Sequence, residues 1–251
     1  MKKVSIIMTT FNCAKNLDKS LQSILIQDYP SIEIVIVDGG STDETISTIK
    51  KYEILFNMNI KWISEKDKGI YDAMNKGYKM STGNIILFLN DVFVRKDVVS
   101  ICIQKMEIEN TDGCHSDLIY VQNGNPIRFW KMGVGKIDQG WMPGHPTLFL
   151  KREVYEKFGL YKTNYKVSAD YEFMIRILYN EKINISYVPE ITVQMFYGGT
   201  STLGMSSYWL SLKEAHKALK DNKVKMPLFI DLKRTIKVAS QFKSLNKIQL
   251  S

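Results

Sequence analysis

Four short apolar runs, each ending in polar residues and followed by a helix-like stretch, constrain this chain more than any other feature. Val4 to Thr9, Ile32 to Val37, Ile60 to Ile63 and Ile85 to Leu89 read as strands. Their apolar character is continuous rather than alternating, the pattern of strands covered on both faces. Leu17, Leu21, Ile24 and Leu25 recur at helical spacing until Tyr29-Pro30, and Ser41-Thr42-Asp43-Glu44 reads as a capping box opening a second helix. Ile70 to Met80 and about Asp97 to Glu107 continue the alternation. The expected fold is α/β, with a mostly parallel central sheet flanked by helices.

In such sheets ligands bind beyond the carboxyl ends of the strands. Thr9 and Asn12, Asp38, Glu65 and Asp67, and Asn90-Asp91 all fall at those ends, so four strand exits are polar together. The run Ser64 to Gly77 packs Glu65, Asp67 and Asp72 into eight residues. Carboxylates this close repel one another, a cost that folds accept for a ligand or an ion. Asp72 and Asn75 also suit the start of the helix that follows.

The second half is more mixed. Leu118 to Val121, Ile127 to Trp130 and Thr147 to Leu150 read as strands. Ser168 to Glu172 opens a helix, and Ile183 to Val188 and Ile191 to Phe196 read as two strands broken by Pro189. Two helices close the chain, about Tyr208 to Asp221 and Leu228 to Phe242.

A length of 251 residues with 45% hydrophobic content suits one sizeable domain with an extension. No apolar run approaches the ~20 residues of a membrane span, and the apolar core after Met1-Lys2-Lys3 is too short for a signal peptide. A cytoplasmic protein is expected. Three cysteines, Cys13, Cys102 and Cys114, without CxxC spacing argue against a disulfide framework or a zinc site. From Ser211 onward ten Lys/Arg face three Asp/Glu, so the tail carries +7 of the net +8. Leu228, Phe229, Leu232, Ile236 and Phe242 lie beside Lys225, Lys233, Arg234, Lys237 and Lys243. A basic amphipathic helix of this kind suits an anionic membrane surface, though a solvated helix pair has the same composition. No nucleic-acid motif accompanies the charge, so nucleic acid is not expected as a partner.

Several phrases in order resemble the inverting glycosyltransferases of family 2, bacterial colanic-acid and O-antigen types in particular. They are Thr9-Thr10-Phe11-Asn12, Asp38 to Asp43, Glu65 to Gly77, Gly144-His145-Pro146, Ala169 to Glu172 and Gly198 to Ser201. The resemblance covers about residues 3 to 202 and implies the GT-A fold of nucleotide-diphospho-sugar transferases. It divides the chain into a transferase domain, 1–205, and a helical extension, 206–251. Within the domain, about 1–95 would hold nucleotide and about 96–205 the acceptor. By the resemblance Thr9, Phe11, Asn12, Asp38 and Asp67 would bind the nucleotide, with Asp38 accepting from the base, most often uracil. Asp170 would be the general base, Asp72, His145 and Glu172 would lie near the donor or acceptor sugar, and Gly199 and Ser201 near the diphosphate. The partners implied are a nucleotide-sugar donor, UDP-linked by expectation, and a lipid-diphosphate-linked saccharide of surface polysaccharide synthesis at the inner membrane face.

Inverting transfer is one in-line displacement at the anomeric carbon. It needs a carboxylate for the acceptor's proton and positive charge on the leaving diphosphate. Relatives supply that charge as Mg²⁺ or Mn²⁺ on an aspartate motif after the fourth strand, reading Leu-Asn-Ser-Asp-Asp-x-Phe. This chain reads Leu89-Asn90-Asp91-Val92-Phe93, which leaves Asp91 as the single metal candidate. Metal assistance through one carboxylate, metal independence and a nucleotide-sugar-binding module without catalysis all fit this shortened segment.

Overall fold

The computed structural model describes residues 1–56, 59–196 and 204–241. The chain runs β1 (Val4–Thr10), α1 (Ala14–Leu25), β2 (Ile32–Asp38), α2 (Thr45–Leu55), β3 (Ile60–Ser64), α3 (Ile70–Met80), β4 (Ile85–Phe88) and β5 (Val92–Phe93). It continues through α4 (Val98–Glu109), β6 (Gly113–Gln122), β7 (Asn125–Trp130), β8 (Phe149–Lys151), α5 (Arg152–Phe158) and α6 (Ala169–Met174). A π-helical stretch, Ile175–Asn180, extends α6, and β9 (Ile185–Phe196), α7 (Gly204–Asp221) and α8 (Pro227–Gln241) follow.

One sheet holds all nine described strands, in the order β3-β2-β1-β4-β8-β6-β9-β5, with β7 paired to β6. The first four are parallel, Val4 lying beside both Ile32 and Ile85. Antiparallel β8 sits between β4 and β6, and β6 pairs in parallel with β9. The strands β1 to β4, β6 and β9 therefore all end on one rim, and antiparallel β8 begins there. Ile6, Ile34, Ile36 and Leu87 face one helical layer, and Ile7, Val35, Ile86 and Phe88 face the other. Gly77 lets α3 lie close on β1, because a Cβ there would stand 2.4 Å from Ile7 Cγ2.

Three local readings of the sequence need correction. Ser41 and Thr42 do not cap α2; the Ser41 hydroxyl donates to Asp38, and Asp43 instead accepts from Thr45 N–H at 3.0 Å. Thr147 is not in a strand: His145–Thr147 is a 3₁₀ turn, closed by the Thr147 hydroxyl bonding Gly144 and Ser116 carbonyls. Pro189 does not break the ninth strand. The register slips from Ser116↔Val188 to Asp117↔Ile191, and the bulge absorbs Pro189, which has no ladder donor to give.

The C-terminal helices share the domain's core. Ala215, Ala218, Leu219 and Ile230 are buried in the same cluster as Tyr71 and Phe173. The Glu214 carboxylate accepts from the N–H groups of Lys166, Val167 and Ser168 at 2.8–3.1 Å, tying α7 to the loop that enters α6. The three cysteines are free thiols, Cys102 and Cys114 buried.

Candidate active site

Two groups of polar side chains meet along the rim. The first surrounds the ends of β1, β2 and β3. Asp38 is fully buried, and its carboxylate accepts from Thr10 Oγ1, Ser41 Oγ, Gly40 N–H, Ser41 N–H and Ser64 Oγ. Burial raises its pKa, and these donors pull it net below the ordinary value. A carboxylate so occupied shapes its loop and has no lone pair left for a base, which corrects the role expected for Asp38. Gly39 is the residue that faces outward. A Cβ on it would lie 3.0 Å from Asp67 Oδ2 and 3.4 Å from the Phe11 ring. The absence of a side chain thus lets Asp67 and the exposed Phe11 stand together over one floor.

Asn12 adopts a left-handed φ of 45°, and its Oδ1 accepts from Thr42 N–H at 2.8 Å, clamping the two loops. Thr9 and Asn90 exchange two hydrogen bonds at 2.8 and 2.9 Å, joining the ends of β1 and β4. The crowded acids are relieved locally: Glu65 pairs with Lys76, Asp67 accepts from Gly69 N–H, and Asp72 accepts from Lys68 N–H. Asp72 thus supports the start of α3 through Oδ2, its side chain one-quarter exposed, and Asn75 bonds the Tyr161 backbone.

The second group centres on Asp170 in the first turn of α6. Tyr71 donates to its Oδ1 at 3.0 Å, and His145 Nδ1 lies 3.4 Å from its Oδ2. Burial raises the Asp170 pKa, but His145 and Tyr71 more than offset this and hold it below the ordinary value. Desolvation and the neighbouring carboxylate push the Tyr71 phenol far upward, so it stays a donor. The Asp170 side chain keeps one-fifth of its surface exposed, toward a cleft of about 450 Å³ walled by α7 and α8. Glu172 is elsewhere: fully buried, it pairs with Lys162 at 2.7 Å and Arg176 at 2.9 Å and accepts from Asn222. It holds α6 in place and has no access to a sugar, a second correction. Gly199 and Ser201 lie outside the described residues.

The description "Glycosyl transferase family 2" matches residues 5–176. This chain belongs to that family. Across 204 residues it is 30% identical to a PGL/p-HBAD biosynthesis glycosyltransferase of Mycobacterium bovis, covering 78% of each chain. The solved structure of S. aureus TarS 1-349 in complex with UDP-GlcNAc overlays 99% of this chain and 76% of that one, at TM-score 0.72 and 18% identity. A longer TarS chain is spanned only to 46%. The mannosyltransferase PcManGT of Pyrobaculum calidifontis, in complex with GDP-Man and Mn2+, overlays at TM-score 0.66 and 15% identity. The fold is GT-A, and the protein is a glycosyltransferase.

Asp91 is a further buried acid, close enough to His145 to feel its charge. Its Oδ1 accepts from Phe196 N–H at 3.1 Å, and the other oxygen takes no hydrogen bond among the described residues. Desolvation raises its pKa to about 6. No three acidic, histidine or cysteine side chains gather as a metal set among the described residues. A hard divalent cation nevertheless accepts one protein carboxylate together with phosphate oxygens and water. The Asp91 oxygen that has no hydrogen bond among the described residues fits that use.

Two residues of the site escaped the sequence reading. Tyr71 looks like one more apolar position of α3, and Glu214 like one more charge of a solvated helix.

Proposed function

We propose that this glycosyltransferase moves a sugar, with inversion, from a UDP-sugar to a lipid-diphosphate-linked glycan of bacterial surface polysaccharide synthesis. O-antigen, capsule or exopolysaccharide would be the product class. The observation that carries the reading is the Asp170 carboxylate, desolvated between Tyr71 and His145 yet open to a cleft. Asp170 takes the proton of the acceptor hydroxyl as that oxygen attacks the anomeric carbon from the face opposite the nucleotide. Tyr71 and His145 fix both of its oxygens, so the carboxylate does not rotate away from the hydroxyl.

The nucleoside would stack on Phe11, with Asp67 accepting an N–H of the base over Gly39. Uracil suits a carboxylate, because its ring N–H is a donor. Asp91 would hold Mg²⁺ or Mn²⁺ together with the diphosphate. That cation would supply positive charge to the leaving group. The TarS complex with UDP-GlcNAc and the PcManGT complex with Mn2+ support a nucleotide donor and a cation by analogy of fold.

The acceptor reading draws on the outer face of α8. Leu228, Leu232 and Ile236 are more than half exposed there, beside lysines. No helix among the described residues is long and apolar enough to cross a membrane. A basic apolar face of this kind suits peripheral attachment to the cytoplasmic side of an anionic bilayer, at ~1 kcal/mol per basic residue.

The test is Asp170→Asn, assayed with UDP-sugars and measured for UDP affinity. Turnover should fall by about three orders of magnitude or more while UDP binds as before. Retained turnover would remove Asp170 as the base.

A further inference from the structure

The cleft beside Asp170 has a composition that proton transfer does not explain. Its volume of about 450 Å³ is that of a small-ligand site. Trp130, Trp141 and Tyr208 line it, together with Lys131, Arg234 and Lys237. Trp141 is buried and fixed, its indole N–H donating to the Met132 carbonyl at 2.9 Å. The Arg128 guanidinium stacks on Trp130, 5.4 Å from the ring centre, and restricts its motion. Rigid aromatic faces are what the apolar side of a sugar ring packs against.

The cations come from two separate elements, the end of β7 and one face of α8. Arg234 lies 4.7 Å over the Tyr171 ring and only loosely near Asp231, at 4.0 Å. Lys131 and Lys237 are exposed, and neither has a carboxylate within 4.0 Å among the described residues. Like charges drawn toward one concave surface repel unless an anion joins them. Lysine meets phosphate as a mobile point charge, and arginine meets it as a planar fork.

We propose that this cleft is the acceptor site, that Trp130 and Trp141 hold its sugar, and that Lys131, Arg234 and Lys237 read a phosphate carried beside that sugar. The inference rests on the reading of Asp170 as base, because it is the base that makes this the acceptor's side of the molecule. The same helix would then serve two surfaces. The inner face of α8 binds the acceptor's phosphate, and its outer apolar face lies toward the compartment in which a lipid-borne acceptor is found.

The test is a tryptophan-fluorescence titration of the whole protein, saturated with UDP, at low salt. Three probes are compared: farnesyl-diphosphate-linked N-acetylglucosamine, an oligomer of glycerol phosphate, and the neutral octyl N-acetylglucosaminide. At least one phosphate probe should bind ten times more tightly than the neutral glycoside. The double variant K131Q/K237Q should weaken that probe about tenfold or more and leave UDP and the neutral glycoside unaffected. Preference for the diphosphate lipid assigns the phosphate to a lipid headgroup, and preference for the oligomer assigns it to a phosphodiester polymer. Equal binding of the neutral glycoside overturns the proposal. So does an unchanged double variant, or a failure of both phosphate probes to bind while UDP still does. Turnover of Asp170→Asn tests the base and the phosphate preference of the parent tests the cleft, so a wrong base and a wrong cleft give different results.

Discussion

Tyr71 donates its hydroxyl to Asp170 across 3.0 Å although 99 positions of sequence separate them. The bond joins α3 to α6, two helices that share one hydrophobic cluster, at the point where α6 lines the cleft. His145 approaches the other carboxylate oxygen from the turn before β8. Three elements thus converge on one carboxylate, and each was selected by a different part of the chain.

Tyr71→Phe keeps the ring and its packing against Tyr161 but removes the donor. A hydrogen bond to a charged group contributes ~1.5–3 kcal/mol, so kcat should fall roughly tenfold to a hundredfold. UDP affinity should not move. The phenol helps hold the Asp170 pKa down, so its loss raises that pKa. The acid limb of the pH–rate profile should shift to higher pH. A profile that drops in height without shifting would reduce Tyr71 to a packing role.

Asp91 titrates near pH 6 because burial disfavours its charged form. A cation must displace that proton, so metal affinity should fall as pH drops through 6. Calorimetry of UDP with and without Mn²⁺, at pH 7.5 and 5.5, measures this directly. Mn²⁺ should tighten UDP binding at the higher pH and lose most of that effect at the lower. Asp91→Asn should abolish the Mn²⁺ effect at both. A metal effect that survives in the variant would place the cation on other ligands.

Away from the site, Glu33 is an acid-sensitive pin at the opposite end of β2. It is nearly buried, accepts from Ser5 Oγ, Thr82 Oγ1 and the N–H groups of Thr82 and Gly83, and pairs with Lys3 and Lys61. Burial raises its pKa, but these partners bring it well below the ordinary glutamate value. A depressed folded pKa contributes stability that is complete above the unfolded pKa and is lost as pH falls below it. The Tm should therefore decline on acidification from about pH 4.5. Glu33→Gln should cost about 2 kcal/mol at pH 7 and flatten that decline. An identical acid slope in parent and variant would assign the pH dependence to other carboxylates.

The first four strands were legible because each is a short run dominated by β-branched and apolar residues, with Ser5, Glu33 and Lys61 the exceptions, a composition that suits a largely covered sheet. Beyond residue 110 that rule weakens. Nothing local marks Pro189 as part of a bulge, since the missing donor matters only once Ser116 and Asp117 are opposite. His145 and Asp170 were singled out because their residue types and setting match a family's phrases, and the fold brings the two side chains to 3.4 Å from each other. Asp38 was legible as important but not as saturated, because five donors from the ends of β1 and β3 and the loop after β2 meet it only in the fold. Tyr71 and Glu214 were invisible for the converse reason. Their side chains look like core and surface, and only tertiary contact reveals what they hold.

The floor formed by Gly39 beneath Phe11 and Asp67, where we propose the nucleoside binds, offers the sharpest test of the donor side. Gly39 has no need of an unusual backbone conformation; what its missing Cβ provides is room, with Asp67 Oδ2 3.0 Å from where it would stand. Gly39→Ala should leave the fold intact, because the new methyl meets the end of a movable side chain and the edge of an exposed ring. It should displace Asp67 from the base, and the loss of one charge-assisted hydrogen bond should raise the Kd for UDP roughly tenfold. Asp67→Asn in the same assay should weaken UDP by a similar factor, and the double variant by little more than either alone, since both act on one contact. Additive losses would mean that Gly39 and Asp67 meet different parts of the nucleotide.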